Sequence, residues 1–195
     1  MTKKYYISDC HFGHENVIQF DKRPFASAEE MDLALIKNWK ECVGKDDEVY
    51  IIGDFCYRAD KGPIWYLKRL SGKKYLIIGN HDTKTLKYPG VLEYFEDVDK
   101  MMYVNDEGRQ ICLCHFPIAE WNAYHRESYH VYGHIHGRLS DTCLIMRNRR
   151  NAYNAAACIN NYKPSTLEEI IANNRRFVEE KPLSWKDLPP SGLNR

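Results

Sequence analysis

"YLIIGNHD", residues 75–82, is an apolar, β-rich run that stops at a glycine and then delivers an asparagine, a histidine and an aspartate in succession. Gly79 and Asn80 would satisfy an ordinary turn by themselves, because both tolerate the backbone conformations a turn needs. His81 is left over, and the same surplus recurs along the chain. "KKYYISDCH" runs into Asp9 and His11, "EVYIIGD" into Asp54, "QICLCH" into His115, and "YHVYGHIH" into His134 and His136. The runs are short and rich in Tyr, Ile and Val, and several close on glycine, so a strand is predicted for each.

Helical stretches lie between and after them. "SAEEMDLALIKNWKEC" opens with a capping box, Ser27 with Glu30, and spaces Met31, Leu35 and Trp39 four apart on one face. "PIWYLKRL" begins with Pro63 at a favourable first-turn position, and "STLEEIIANNRRFVEE" repeats the capping box with Ser165 and Glu168. Strands that alternate with helices and carry polar side chains at their carboxyl ends define an α/β fold that builds its site at those ends.

Length and composition set the limits. A chain of 195 residues with 44% apolar content buries roughly 70% of its unfolded surface, which suits one solid core. Basic residues (28) and acidic residues (27) nearly cancel, so net charge does not indicate a dedicated nucleic-acid binder, and a small or locally recognised substrate is expected before a long polyanion. "MTKKYYISDC" has no apolar segment behind its lysines, and no stretch approaches the ~20 apolar residues of a membrane span; a cytoplasmic protein is expected. Seven cysteines with no CxxC pair argue against a disulfide framework and a zinc ribbon alike.

Asp9 and His11 are two apart, as are His134 and His136, and on a strand each pair would share a face and reach one ion. With Asp54, Asn80 and His115 the candidates number seven, more than one ion needs, and carboxylates with imidazoles suit Zn, Fe or Mn. Asp54 can bridge through its two oxygens, which fits two ions about 3.5 to 4 Å apart. Such a pair lowers the pKa of a shared water and clamps the attacking and leaving oxygens at phosphorus. The expected reaction is hydrolysis of a phosphate ester.

DxH at Asp9, GD at Asp54, GNHD at Asn80, His115 alone and GHxH at His134, in that order, resemble the calcineurin-like metallophosphoesterase superfamily. "NYKPSTLEEI", residues 161–170, is similar to the closing segment of its small bacterial and phage-type members. The resemblance implies an α/β sandwich of two mixed β-sheets flanked by helices, in four αββα layers. It also implies one domain over 1–195, with a motif-bearing core at 1–162 and a C-terminal helix and tail at 163–195. By motif position the first ion takes Asp9, His11, Asp54 and His136, and the second Asp54, Asn80, His115 and His134. Both are divalent transition-metal ions (Mn, Fe, Ni or Zn), and a hydroxide bridging them is the implied nucleophile. His81 is then no ligand; it sits beside the bound phosphate and assists the leaving oxygen.

Arg58 stands four residues after Asp54, where the resembling serine/threonine phosphatases carry a phosphate-binding arginine, and Tyr57 replaces the aspartate that orients their catalytic histidine. His14 is a second candidate for substrate contact, and His125 and His130 are weaker ones. "FDKRPF" at 20–25 reads as either a lid or a connection, and "RNRRN" at 147–151 as either a phosphodiester contact or a solvated loop. Three functions are consistent with the sequence. The first is a two-metal phosphodiesterase, favoured slightly over the second, a phosphomonoesterase or nucleotide pyrophosphatase acting on a nucleotide-like substrate. The third is a non-catalytic metal-binding scaffold.

Overall fold

The computed structural model describes residues 2–188; Met1 and residues 189–195 of the expected domain lie outside the described residues. Each of the five predicted strands forms: β1 (Lys4–Ile7), β2 (Glu48–Ile52), β3 (Lys73–Ile77), β6 (Arg109–Cys114) and β7 (Tyr129–Tyr132). Three more, β4 (Asp97–Asp99), β5 (Met101–Asp106) and β8 (Ala152–Asn154), complete two four-stranded sheets of order β1-β2-β3-β4 and β5-β6-β7-β8.

The expected sandwich is present, with mixed pairing confined to the second sheet. All neighbours in the first sheet are parallel, whereas β5 and β6 are antiparallel and β6, β7 and β8 parallel. Connection length decides this. Helices α1 (Glu15–Asp21) and α2 (Ala28–Cys42) link β1 to β2, α3 (Pro63–Leu67) links β2 to β3, and α4 (Thr83–Leu86) lies between β3 and β4, so each strand re-enters in the same direction. Glu107 and Gly108, both at positive φ, turn β5 directly back into β6.

Alternation along the strands sorts the core into layers. Tyr5, Ile7, Val49, Ile51 and Leu76 pack with Met31, Leu35 and Trp39 of α2, the stripe that the fourfold spacing predicts. Tyr6, Tyr50, Ile52 and Ile77 face the opposite way, onto Met102, Ile111, Leu113 and Val131 of the second sheet. Burial on both faces is why these strands read as near-continuous apolar runs. In register on the inter-sheet face, the Tyr6, Tyr50 and Tyr75 rings stack at 5.6 and 4.7 Å. Beyond the second sheet, α5 (Asp141–Arg147) supplies Cys143 and Met146, which pack with Tyr132, Ile135 and the Phe177 side chain of α6 (Leu167–Glu180).

Both expected capping boxes are displaced. The Ser27 hydroxyl accepts from the Glu30 N–H as predicted, but the Glu30 carboxylate reaches back to the Ala26 N–H instead of closing on Ser27. At α6 the box is one residue later, Thr166 with Glu169. Ser165 is not free to cap, because its backbone exchanges both hydrogen bonds with Tyr6 at the edge of β1. Glu168 turns outward to Arg109.

Candidate active site

Every residue of the predicted set lies just past the end of a strand, not on one. β1 ends at Ile7 and β7 at Tyr132, so strand alternation does not bring Asp9 next to His11 or His134 next to His136. Left-handed turns do. Asp9, His11, Asp54, His134 and His136 all have φ between 51° and 69°, a region non-glycine residues rarely adopt, at a cost of order 1 kcal/mol or more each. Strain of this kind persists only where the surroundings enforce it. Cys10 is fully buried between two such turns.

The enforcing contacts are specific. Asp82, fully buried, accepts hydrogen bonds from the backbone N–H groups of Asp54, Phe55 and Gly79, tying the turn after β2 to the turn after β3. Gly79 follows from the same packing, since a side chain there would collide with the Asp54 carboxylate. Arg23, almost wholly buried, donates to the carbonyls of Asp9 and Cys10 and to the Asp21 carboxylate. Through Phe20 and Asp21, "FDKRPF" thus forms part of the wall of the cleft.

The side chains converge on Asp54. Its Oδ2 lies 3.6 Å from Nε2 of both His11 and His115 and 4.0 Å from Nε2 of His81, while its Oδ1 accepts the His81 backbone N–H at 2.8 Å. Asp9 Oδ1 is 3.2 Å from His136 Nε2, and its Oδ2 accepts from the Ser8 hydroxyl. Asn80 Oδ1 lies 3.0 Å from His115 Nε2 and 2.9 Å from His134 Nδ1. Two groups of donor atoms each fall within one ion's reach, Asp9 with His11 and His136, and Asp9 with Asp54 and His115. Asp9 belongs to both, so two carboxylates lie between the histidines.

Electrostatics reflect this crowding. Burial, with Asp9 and Asp82 adding to it, pushes the Asp54 carboxyl up to about 6. For His136 burial acts downward, but Asp9 and Asp21 on its two ring nitrogens outweigh it and raise the imidazolium to about 10. Burial holds His11 well below the usual histidine range. Oxygen and imidazole donors with no thiolate among them fit divalent ions such as Mn, Fe, Ni or Zn. Two rings are already oriented for that use, because His136 Nδ1 lies 2.6 Å from Asp21 Oδ2 and His115 Nδ1 2.9 Å from the Ile52 carbonyl.

His81 opens onto the cleft with its side chain 38% exposed, and its ring packs edge-on against Tyr57 at 4.7 Å. Asp82 does not orient it, since both Asp82 oxygens are taken by backbone. Tyr57 also packs on His14, at 4.6 Å, and carries the Arg58 guanidinium 5.1 Å above its ring. His14 and Arg58 both line the cleft, which has a volume of about 310 Å³. His125 and His130 do not. His125 pairs with Glu120 on an exposed turn, and His130 is buried between the Cys112 carbonyl and the Ile118 N–H.

Sequence reasoning missed three contributors. Asp21 and Arg23 lie within a stretch read as a lid or a connection, and Arg138 stands two residues after the GHxH motif. Arg138 lines this cleft and also two cavities beside it, of about 510 and 420 Å³. Phe20, 74% exposed, borders the first and Phe116, 47% exposed, the second.

The calcineurin-like phosphoesterase family model matches residues 3–142. The chain is 33% identical to an uncharacterized protein of Methanocaldococcus jannaschii, over 88% of this chain and 90% of that one. It is 29% identical to the gene 66 protein of Mycobacterium phage D29, over 71% and 81% respectively. A protein of unknown function from Aquifex aeolicus has a similar crystal structure, with a TM-score of 0.70 and 26% identity, covering 88% of this chain and 99% of that one.

Proposed function

The chain belongs to the calcineurin-like phosphoesterase family, and from that premise we propose that it is a dinuclear metal-dependent hydrolase of phosphate esters, with diesters preferred. The observation that carries this reading is the convergence of His11, His115 and His81 on the single carboxylate oxygen Asp54 Oδ2. Asp9, His11, Asp54 and His136 would hold one ion, and Asp54, Asn80, His115 and His134 the other. Bound there, the ions supply Lewis-acid charge and acidify a water for attack at phosphorus.

The remaining tasks fall to the chain. His81 lies 4.0 Å from Asp54 Oδ2 and opens onto the cleft, so it assists the leaving oxygen as donor. Arg58 and Arg138 both line the cleft and would hold non-bridging phosphate oxygens by charge-assisted hydrogen bonds. Asp21 and the Ile52 carbonyl hold His136 and His115 in the orientation a ligand needs. A monoester has one organic arm. Two side cavities meeting the cleft at Arg138, each bordered by an exposed phenylalanine, give room for the two arms of a diester.

Elemental analysis of the protein at saturating metal, with a panel of mono- and diesters under Mn, Ni, Zn and Mg, tests the reading. Two ions per chain and a higher kcat/KM for diesters are expected. One ion per chain overturns the dinuclear assignment, and a higher kcat/KM for monoesters overturns the diester preference. Bound metal without turnover of any ester would make the chain a scaffold.

A further inference from the structure

The "RNRRN" stretch is not part of the metal site, yet it does not simply face water. Arg147, Arg149 and Arg150, from the end of α5 and the turn that follows it, meet Arg175 of α6 around a separate cavity of about 410 Å³ floored by Tyr132 and Tyr153. Four guanidinium groups on one concavity are far from what a net charge of +1 spreads over an average surface. Glu179 is the acid at the rim. Arg150 is held by Glu127 at 2.6 Å, whereas Arg149 and Arg175 have no ion pair among the described residues.

Arg147 is the more telling residue. Its Nη1 donates to the Lys181 carbonyl at 2.7 Å, but Nε and Nη2 are buried with no hydrogen-bond partner. The residue as a whole is half-buried, and its guanidinium also lies 5.1 Å from the centre of the Phe177 ring. No carboxylate among the described residues pairs with it, and its side chain lines the cavity together with the other three arginines.

We infer that this cavity is a second, non-catalytic site for a small phosphorylated ligand. Arginines recognise phosphate by paired charge-assisted hydrogen bonds, and the cavity volume lies within the range of small-molecule sites. The tyrosine floor gives an apolar or planar body of the ligand a surface. A small ligand suits the site better than a nucleic-acid strand, because the basic groups surround a hollow and do not form a stripe across a positively charged face. This assignment is independent of the chemistry at Asp54.

Calorimetric titration of the metal-loaded full chain with inorganic phosphate is the test, alongside the Arg149→Ala/Arg175→Ala variant. Neither side chain has a described ion pair to lose, and thermal unfolding of the variant checks that it folds. Two binding events are expected in the wild type, with one weakened tenfold or more in the variant and hydrolysis of a small ester unchanged. A single event in both proteins, or two unaltered events in the variant, overturns the site. A short single-stranded oligonucleotide whose binding collapses in the variant while phosphate binding persists would also overturn it, by making the arginines part of a nucleic-acid surface.

Discussion

Asp54 concentrates more of the site than any other residue, because its two oxygens serve different purposes: Oδ1 anchors the His81 backbone and Oδ2 faces the histidines. Asp54→Ala should therefore abolish activity and lose at least one ion, read by elemental analysis; full retention of two ions would move the bridging role to Asp9, which also lies between the donor groups. His81→Asn should keep both ions. If His81 donates to the leaving oxygen, typically a 10²- to 10⁴-fold effect, hydrolysis of an alkyl ester should slow far more than that of a nitrophenyl ester, whose leaving group needs no proton. Equal slowing would place His81 on the non-bridging oxygens instead. The seven predicted donors were legible because aspartate, asparagine and histidine after an apolar run have no structural reason to recur five times. Asp21 and Arg138 were not, since a single charged residue in a connection looks the same in sequence whether it orients an imidazole or faces water.

At the scale of elements, the strands visible in sequence are those with both faces buried. β4 and β8, three residues each, and β5, which alternates toward solvent, give too little apolar signal to read. Cap positions failed for a different reason, since the pairing of Ser165 with Tyr6 is a tertiary contact that shifts the start of α6 by one residue. Thr166→Ala should thus cost about 1 kcal/mol in thermal or denaturant unfolding while Ser165→Ala spares the cap. His130 on β7 makes stability depend on pH. Burial holds its imidazole down at about 4, with Nδ1 on the Cys112 carbonyl and Nε2 accepting from Ile118 N–H, so the folded chain keeps it neutral. In the unfolded chain it takes up a proton near 6.5. Its contribution is complete above pH 6.5 and declines as pH falls from there to about 4, by up to roughly 3 kcal/mol. In metal-free protein, His130→Asn should flatten the stability profile across that window; an unchanged slope relative to wild type would show that His130 is protonated in the fold.

Across the whole molecule, the candidate ligands divide between the two sheets. Asp9, His11, Asp54 and Asn80 follow strands of the first, and His115, His134 and His136 follow strands of the second. Any ion bound among them cross-links the sheets at their carboxyl ends, where the chain holds strained left-handed turns and buried carboxylates close together. Occupancy should consequently stabilise the fold as well as enable the reaction. Binding to the native state alone adds roughly 3 to 4 kcal/mol per site at free metal 100 to 1,000 times Kd. For a chain of this size that is on the order of 10 °C in Tm for each ion. Chelation should lower the unfolding temperature by that order, and readdition of Mn or Zn should restore it. The loss should be local first, so hydrogen exchange after chelation is expected to quicken at the residues following β2, β3 and β6 while α2, packed on the far face of the first sheet, keeps its protection. Equal melting curves with and without chelator would mean that the sandwich holds its ligands in place unaided, and uniform exchange throughout would mean that metal supports the core and not the site.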